Sequence, residues 1–139
     1  MMLTIKRRGG KNTCSVDDYL TLGYGYAECG RGWDRLIRKL FQELSEAGWD
    51  GGIAQVKEKF GTLRVYLGWL DEEYTGYDDF YEIVFRYEKL SETVCEVCGA
   101  DGAKLRTLKD GRSWIKTNCD ICHDIFMKTS PKIDLDMRQ

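Results

Sequence analysis

The sequence has little of what several common classes of protein require. Its 139 residues include one histidine, His123, and one proline, Pro131. A single histidine limits histidine-based catalysis, and the sequence does not signal a Cys–His nucleophile pair at Cys14 or Cys29. A Walker-type loop, a GxGxxG after a strand and an HExxH helix are also absent from it. We therefore expect a protein that is not an enzyme.

Long apolar stretches and an excess of one charge are missing as well. No apolar run approaches the roughly 20 residues of a transmembrane helix, and the basic start, Met1 to Lys11, lacks the apolar segment of a secretory signal. The net charge of −2 excludes a generally polycationic protein. It divides into +3 over residues 1–70, −6 over 71–94 and +1 over 95–139. Neither basic part reaches the level of a dedicated nucleic-acid binder, and no membrane contact is expected.

Four of the six cysteines form two CxxC pairs, Cys95-Glu96-Val97-Cys98 and Cys119-Asp120-Ile121-Cys122, with 20 residues between them. This spacing is typical of a zinc site. Four thiolates fill the coordination shell, so Cys95, Cys98, Cys119 and Cys122 are expected to hold one structural Zn²⁺. A disulfide framework is less favoured, because without a signal peptide a reducing cytosol is the natural compartment. His123 is a less favoured ligand, since adjacent residues rarely coordinate together.

The periodicity of apolar residues predicts an α+β fold. A helix is expected from Gly32 to Ala47 and a second from Gly76 to Thr93, each with one apolar stripe. Between them, Ile53 to Lys59 and Thr62 to Trp69 alternate around Phe60-Gly61 as a hairpin. Two amphipathic helices thus pack with a β-hairpin, and a C-terminal zinc-ribbon hairpin follows.

The ribbon is expected to contain two strands, Ala103 to Leu108 and Arg112 to Thr117, before a short helix over Asp120 to Met127. Near the N-terminus, Ser15 is expected to cap a short helix that Asp18 supports. The predicted organisation is an α+β domain over 1–94, with 1–14 as a candidate mobile segment, a zinc ribbon over 95–127 and a tail over 128–139.

Three places have side chains suited to an anion or a partner. On the hairpin, Lys57, Lys59, Arg64 and Tyr66 should share the outer face, and Ala54 and Val56 should lie on the inner one. On the ribbon, alternation places Arg112, Trp114 and Lys116 together. Arg31 lies in a glycine-rich loop before a helix N-terminus, which can bind an anion. Each place has a plain structural alternative: a solvated sheet face, a docking face of the ribbon, and a tight turn.

Four segments of the sequence together carry a family resemblance. They are Glu28-Cys29-Gly30-x-Gly32-Trp33, Gln55-Val56-Lys57-Glu58-Lys59-Phe60-Gly61-Thr62-Leu63-Arg64-Val65-Tyr66, Cys95-Glu96-Val97-Cys98-Gly99-Ala100 and Trp114-x-Lys116-Thr117-x-Cys119-Asp120-x-Cys122. The combination resembles a family of small proteins encoded by bacteriophages and prophages, over about residues 24–125. The resemblance implies a viral accessory protein in the bacterial cytoplasm and assigns no activity to any residue.

Three functions follow as expectations. Small phage accessory proteins often bind and inhibit a host factor, so a host protein or antiviral defence component is the first expected partner. The alternatives are a nucleic-acid-binding zinc-ribbon protein and a binder of a small anionic signal such as a cyclic nucleotide. An enzyme is least favoured, because no catalytic constellation is recognisable, and the sequence does not fix the oligomeric state.

Overall fold

The computed structural model describes residues 3–7, 13–22, 26–68, 77–107 and 115–129. They form an α+β fold with two sheets, which confirms the predicted class. The strands are β1 (Thr4–Arg7), β2 (Thr13–Ser15), β3 (Ala27–Glu28), β4 (Gly52–Lys59), β5 (Thr62–Leu67), β6 (Lys104–Thr107) and β7 (Ile115–Asn118). The helices are α1 (Val16–Thr21), α2 (Asp34–Glu46), α3 (Tyr77–Leu90) and α4 (Asp120–Thr129), with 3-10 turns at Arg31–Trp33 and Ser91–Thr93.

Strand β4 is the centre of the larger sheet. Strand β5 pairs with it antiparallel, with Lys57 opposite Arg64 and Val56 opposite Val65, as the predicted hairpin requires. Strands β1 and β3 both pair with β4 in parallel, and β2 pairs with β1. The sequence did not indicate β1, β2 or β3, because they are short and β1 has one buried apolar side chain, Ile5. Residues 4–7 and 13–14 of the candidate mobile segment therefore lie in strands.

Both long helices lie where the periodicity predicts them. Helix α2 directs Leu36, Ile37, Leu40, Phe41 and Leu44 into the core, although Ala47, expected on the same stripe, is exposed. Gly48 follows it with a φ of 105°, the left-handed conformation that ends many helices. Helix α3 buries Phe80, Val84 and Tyr87, whereas Leu90 is exposed. The Ser15 side chain accepts a hydrogen bond from Asp18 N at 3.1 Å, which confirms the predicted cap of α1.

A β-bulge near the start of β4 changes which side chains face the core. Ile53 lies opposite Leu67 and Gln55 opposite Tyr66, so Ala54 is the extra residue. Ile53 and Val56 are buried as a result, and Ala54 is exposed. The expectation that Ala54 lies on the inner face is therefore wrong, because strict alternation cannot anticipate a bulge. Beyond the bulge, alternation holds.

The edge of β5 that faces away from β4 is closed by side chains from α3 and the 3-10 turn after it. Three backbone N–H groups there each donate to a side-chain oxygen: Leu63 N to Ser91 Oγ (2.9 Å), Val65 N to Glu88 Oε2 (2.9 Å) and Leu67 N to Tyr81 OH (3.2 Å). The edge donors are thus satisfied without another strand. Among the described helices, none is long and apolar enough to cross a membrane.

Helices α2 and α3 are joined by a carboxylate with two partners. Glu43 accepts hydrogen bonds from the Tyr87 hydroxyl at 2.7 Å and from Arg86 at 2.9 Å. The Tyr87 hydrogen bond, with a further contribution from Arg86, holds the pKa of Glu43 below its usual value. The carboxylate therefore stabilises the folded chain above its unfolded-state pKa, and this contribution is lost as pH falls through the lowered folded-state pKa.

We expect Glu43→Gln to destabilise the chain by about 1 kcal/mol near neutral pH, because a partly exposed charged hydrogen bond is weakened. Urea denaturation at neutral and at acidic pH should show this difference shrinking as pH falls below about 4.3, the ordinary pKa of a glutamate, toward the lowered pKa of the native carboxylate. Glu82→Gln, an exposed change on α3, is the control and should have little effect. An equal loss for Glu43→Gln at both pH values would contradict this origin of the stabilisation.

Candidate metal centre

Four cysteines converge at the smaller sheet. Cys95 and Cys98 follow the 3-10 turn Ser91–Thr93, Cys119 follows β7, and Cys122 lies in the first turn of α4. Their sulfur atoms all lie within 4.8 Å of one another, and the Cys98 and Cys119 sulfurs are 3.6 Å apart. Tetrahedral zinc thiolates have sulfurs about 3.8 Å apart. The predicted grouping is confirmed as a set that can hold one metal ion, and in the described part of the chain His123 is not a member.

The backbone around each pair is folded as a tight knuckle. Gly99 N donates to Cys95 O at 2.9 Å, and His123 N donates to Cys119 O at 3.0 Å. Cys122 N also points at the Cys119 sulfur, at 3.4 Å. Strands β6 and β7 pair antiparallel and bring the two knuckles together, as a ribbon requires. Helix α4 then begins inside the second knuckle, close to its predicted position.

The chemistry of the four thiols fits a bound cation. Burial raises the pKa of Cys95, but the backbone N–H groups of Cys98, Cys119 and Val97 outweigh it and bring the pKa to about 6. Burial and the neighbouring cysteines raise the pKa of Cys122 well above its usual value. The Cys95 thiol thus loses its proton readily, whereas the Cys122 thiol retains its proton. A metal ion would supply the positive charge that lets all four become thiolates.

The first knuckle is bonded directly to the larger domain. Glu96 O accepts a hydrogen bond from Gly32 N at 2.7 Å, and its carboxylate accepts one from Gly30 N at 2.9 Å. The indole N–H of Trp33, a fully buried side chain, donates to Val94 O at 2.8 Å. The N–H groups of Gly30 and Gly32 in the glycine-rich loop are therefore both bonded to Glu96 of the same chain. Arg31 is likewise engaged internally, with Cys29 O at 3.0 Å and Asp34 Oδ1 at 3.6 Å.

Lys116 lies at the same junction. Its ammonium nitrogen is 2.9 Å from Glu58 Oε1 and 3.9 Å from Glu96 Oε1. Burial raises the pKa of Glu96, and the hydrogen bond from Gly30 N and the charge of Lys116 partly offset that rise. Next to it, the Thr117 hydroxyl donates to Gly61 O at 2.6 Å. Lys116 thus joins the ribbon to the β4–β5 hairpin, while Arg112 and Trp114, predicted to share its face, lie outside the described residues.

The remaining predicted residues are brought together on the outer side of β4 and β5. Lys57, Lys59, Arg64 and Tyr66 form what we call the hairpin face. The Lys57 ammonium lies 5.8 Å from the centre of the Tyr66 ring, a cation–π contact. In the described part of the chain, no carboxylate lies within ion-pair distance of Lys57 or Lys59. Glu58 points away from this face toward Lys116, as the alternation predicts.

Phe60, at the tip of the hairpin, is a candidate site residue that the sequence analysis missed. Its φ of 53° is unusual for a bulky residue, and its side chain is 56% exposed. The Lys59 ammonium lies 5.6 Å from the centre of its ring. Two-residue hairpin turns favour asparagine, aspartate or glycine at this position. A phenylalanine at this turn position was therefore the signal in the sequence by which the residue could have been found.

Comparison of the chain with protein-family models, curated proteins and solved structures finds no match. The described residues provide a closed group of four cysteines, a hairpin face with lysines beside aromatic rings, and a junction that holds the ribbon on the larger domain.

Proposed function

We propose that the chain is a zinc-stabilised nucleic-acid-binding protein of the phage accessory type, in which the metal is structural. Zinc is the metal that four cysteines in two CxxC knuckles favour. With four protein ligands, no coordination position remains for substrate or water, so the metal has no direct part in chemistry. Its task is to hold the ribbon together, and through Glu96 and Lys116 to hold the ribbon on the larger domain.

The observation that carries the nucleic-acid proposal is the pairing of cations with aromatic rings on and beside the hairpin face. Lys57 lies over Tyr66, and Lys59 lies over Phe60. Lysines without carboxylate partners in the described chain are suited to phosphates, and exposed rings are suited to stacked bases. This combination favours nucleic acid over a partner that offers acidic side chains alone. Of the acidic residues of 71–94 that the structure describes, Glu88 and Glu92 lie beside Arg64 at the edge of this face, and none is within ion-pair distance of Lys57 or Lys59.

A host protein, such as an antiviral defence component in the bacterial cytoplasm, is the second candidate partner. It is favoured by exposed apolar side chains at the metal centre, Val97 in the first knuckle and Ile121 in the second. Such residues are typical of a contact between proteins. The small anionic nucleotide has less support, because the loop donor at Gly30 is bonded to Glu96.

The test of the proposal is binding to oligonucleotides by fluorescence anisotropy over a range of salt concentrations. Lys57→Ala with Arg64→Ala removes two of the three cations of the hairpin face. We expect affinity to fall roughly tenfold at moderate salt, and the slope of log K against log salt to become shallower by about 1.5.

Lys39→Ala with Lys128→Ala is the matched control, because it removes the same charge from exposed positions on α2 and α4. It should leave most of the affinity and the slope intact. Equal losses in both double variants would indicate non-specific attraction. No salt-dependent binding to any oligonucleotide would overturn the proposal and leave the host protein as the candidate.

A further inference from the structure

A small pocket lies between β5 and α3, beside the hairpin face. Its volume is about 190 Å³, and it is lined by Thr62, Arg64, Phe85, Glu88, Lys89 and Glu92. Thr62 and Arg64 alternate with the inward-facing residues of β5, so they also belong to its outer surface. Arg64 is therefore shared by the hairpin face and the pocket, and a ligand lying along the face can enter the pocket beside it.

One wall of the pocket is an aromatic ring exposed to solvent. The Phe85 side chain is 60% exposed, although it lies on a helix whose opposite side is packed on the core. Its nearest described aromatic neighbour is Tyr81, with ring centres 5.9 Å apart. An apolar cavity of about 150 Å³ is enough to hold benzene. The pocket is thus large enough for a flat ring lying against Phe85.

The polar groups of the pocket have both charges. The Nε of Arg64 is shielded from solvent and has no hydrogen-bond partner among the described residues. Glu88 Oε2 accepts a hydrogen bond from Val65 N, and Glu88 Oε1 has no hydrogen bond within the described chain. Lys89 and Glu92 lie 3.7 Å apart at the rim. A phosphate would be repelled by the two carboxylates, whereas the edge of a nucleobase offers both donors and acceptors to such a set.

We infer that the pocket receives one base of a single-stranded nucleic acid, with its ring against Phe85 and its polar edge toward Arg64 and Glu88. The neighbouring phosphates then contact Lys57 and Lys59 on the hairpin face. This inference rests on the proposed nucleic-acid function and adds the kind of strand. A single strand is required because the bases of a duplex are paired and stacked on one another, which keeps them from the pocket.

The inference is tested with oligodeoxynucleotides of about 12 nucleotides, a common length for such sites. Three probes of the same length are compared: a single strand of mixed sequence, its duplex, and a single strand whose sugars lack bases. Phe85→Ala should weaken binding of the single strand about tenfold. It should change binding of the duplex and of the baseless strand by less than about twofold, because only the phosphates are held there.

Two further variants distinguish the loss of the aromatic ring from general effects of substitution. Phe85→Trp keeps an aromatic surface and should retain most of the affinity for the single strand. Leu90→Ala, an exposed apolar change on the same helix, should have no effect. If Phe85→Ala weakens binding of all three probes equally, or of none of them, the base pocket is wrong. The proposed nucleic-acid function would still stand if binding through Lys57 and Arg64 depends on salt. Absence of binding to all three probes, with capture of a host protein instead, would overturn both proposals.

Discussion

Removal of the metal is expected to unfold residues 95–129 and to loosen the 3-10 turn Arg31–Trp33. Strands β6 and β7 have four residues each, and a two-stranded hairpin of this size is marginal by itself in water. Binding of structural zinc contributes about 10–16 kcal/mol in small zinc modules. Loss of the metal should also free Glu96, whose carbonyl and carboxylate hold Gly32 and Gly30.

Native mass spectrometry should find one zinc ion per chain before chelation. Hydrogen exchange after chelation should then be faster at Cys95 and Glu96, whose N–H groups are bonded to Ala100 O and Thr117 O. The amide of Gly32, which is bonded to Glu96 O, should also exchange faster. The amides of Leu63 and Val65, bonded to side chains from outside the ribbon, should remain more protected and serve as the internal control.

Single cysteine substitutions give a second way to test the metal centre. Cys119→Ser should lose the metal and reproduce the exchange pattern of the chelated protein. Cys29→Ser should keep the metal, because Cys29 is outside the group of four. A protein that contains no zinc when purified without chelators, or whose ribbon amides are unchanged by chelation, would contradict a metal-dependent fold.

Replacement of Gly32 by alanine is expected to break the contact between the first knuckle and the larger domain. A Cβ at this position would clash with the backbone oxygen of Cys95 and would lie only 2.5 Å from both the carbonyl carbon and the oxygen of Glu96. All three neighbours are backbone atoms, so no side-chain rotation can relieve the clash. Forced separation would also lose the hydrogen bond from Gly32 N to Glu96 O. We expect a loss of about 3 kcal/mol or more in the free energy of unfolding.

Gly102→Ala is the matched control for Gly32→Ala. Gly102 has a φ of 77°, but an added Cβ would have no neighbour within 4 Å. Its replacement should therefore destabilise the chain by about 1–2 kcal/mol through backbone strain alone. Urea denaturation of the metal-loaded proteins measures both values. A Gly32→Ala protein as stable as the wild type would show that the knuckle does not need this close approach.

Local patterns were sufficient for the parts of the fold that depend on nearby residues. The 3.6-residue stripe of α2 and the Phe60-Gly61 turn are both set within a short window, and the structure has them. The cysteine grouping was predictable for another reason, since each CxxC pair already places two sulfurs together. In contrast, the parallel pairing of Lys6 with Gly52 is a tertiary contact that neither segment signals.

The residues of the candidate site also divide into those that local patterns predict and those that depend on tertiary contacts. Alternation along β4 and β5 was enough to place Lys57 and Arg64 on one face, because both belong to one hairpin. Lys116 was predicted on a surface with Trp114, but its partner Glu58 is 58 residues away in the chain, and no local pattern signals such a contact. Gly30 and Gly32 were ambiguous for a physical reason. A glycine suits both an anion-binding loop and a close approach of two backbones.

The side-chain oxygens that accept hydrogen bonds from the free edge of β5 also limit how copies of this protein can associate. A bare strand edge is a template on which another extended chain can be added, and this is a common route to fibrils and unwanted dimers. At β5 the outward N–H groups of Leu63, Val65 and Leu67 are already bonded within the chain. Assembly by β-augmentation is therefore blocked there. Whatever approaches that side must be recognised through side chains and not through the N–H groups of the strand.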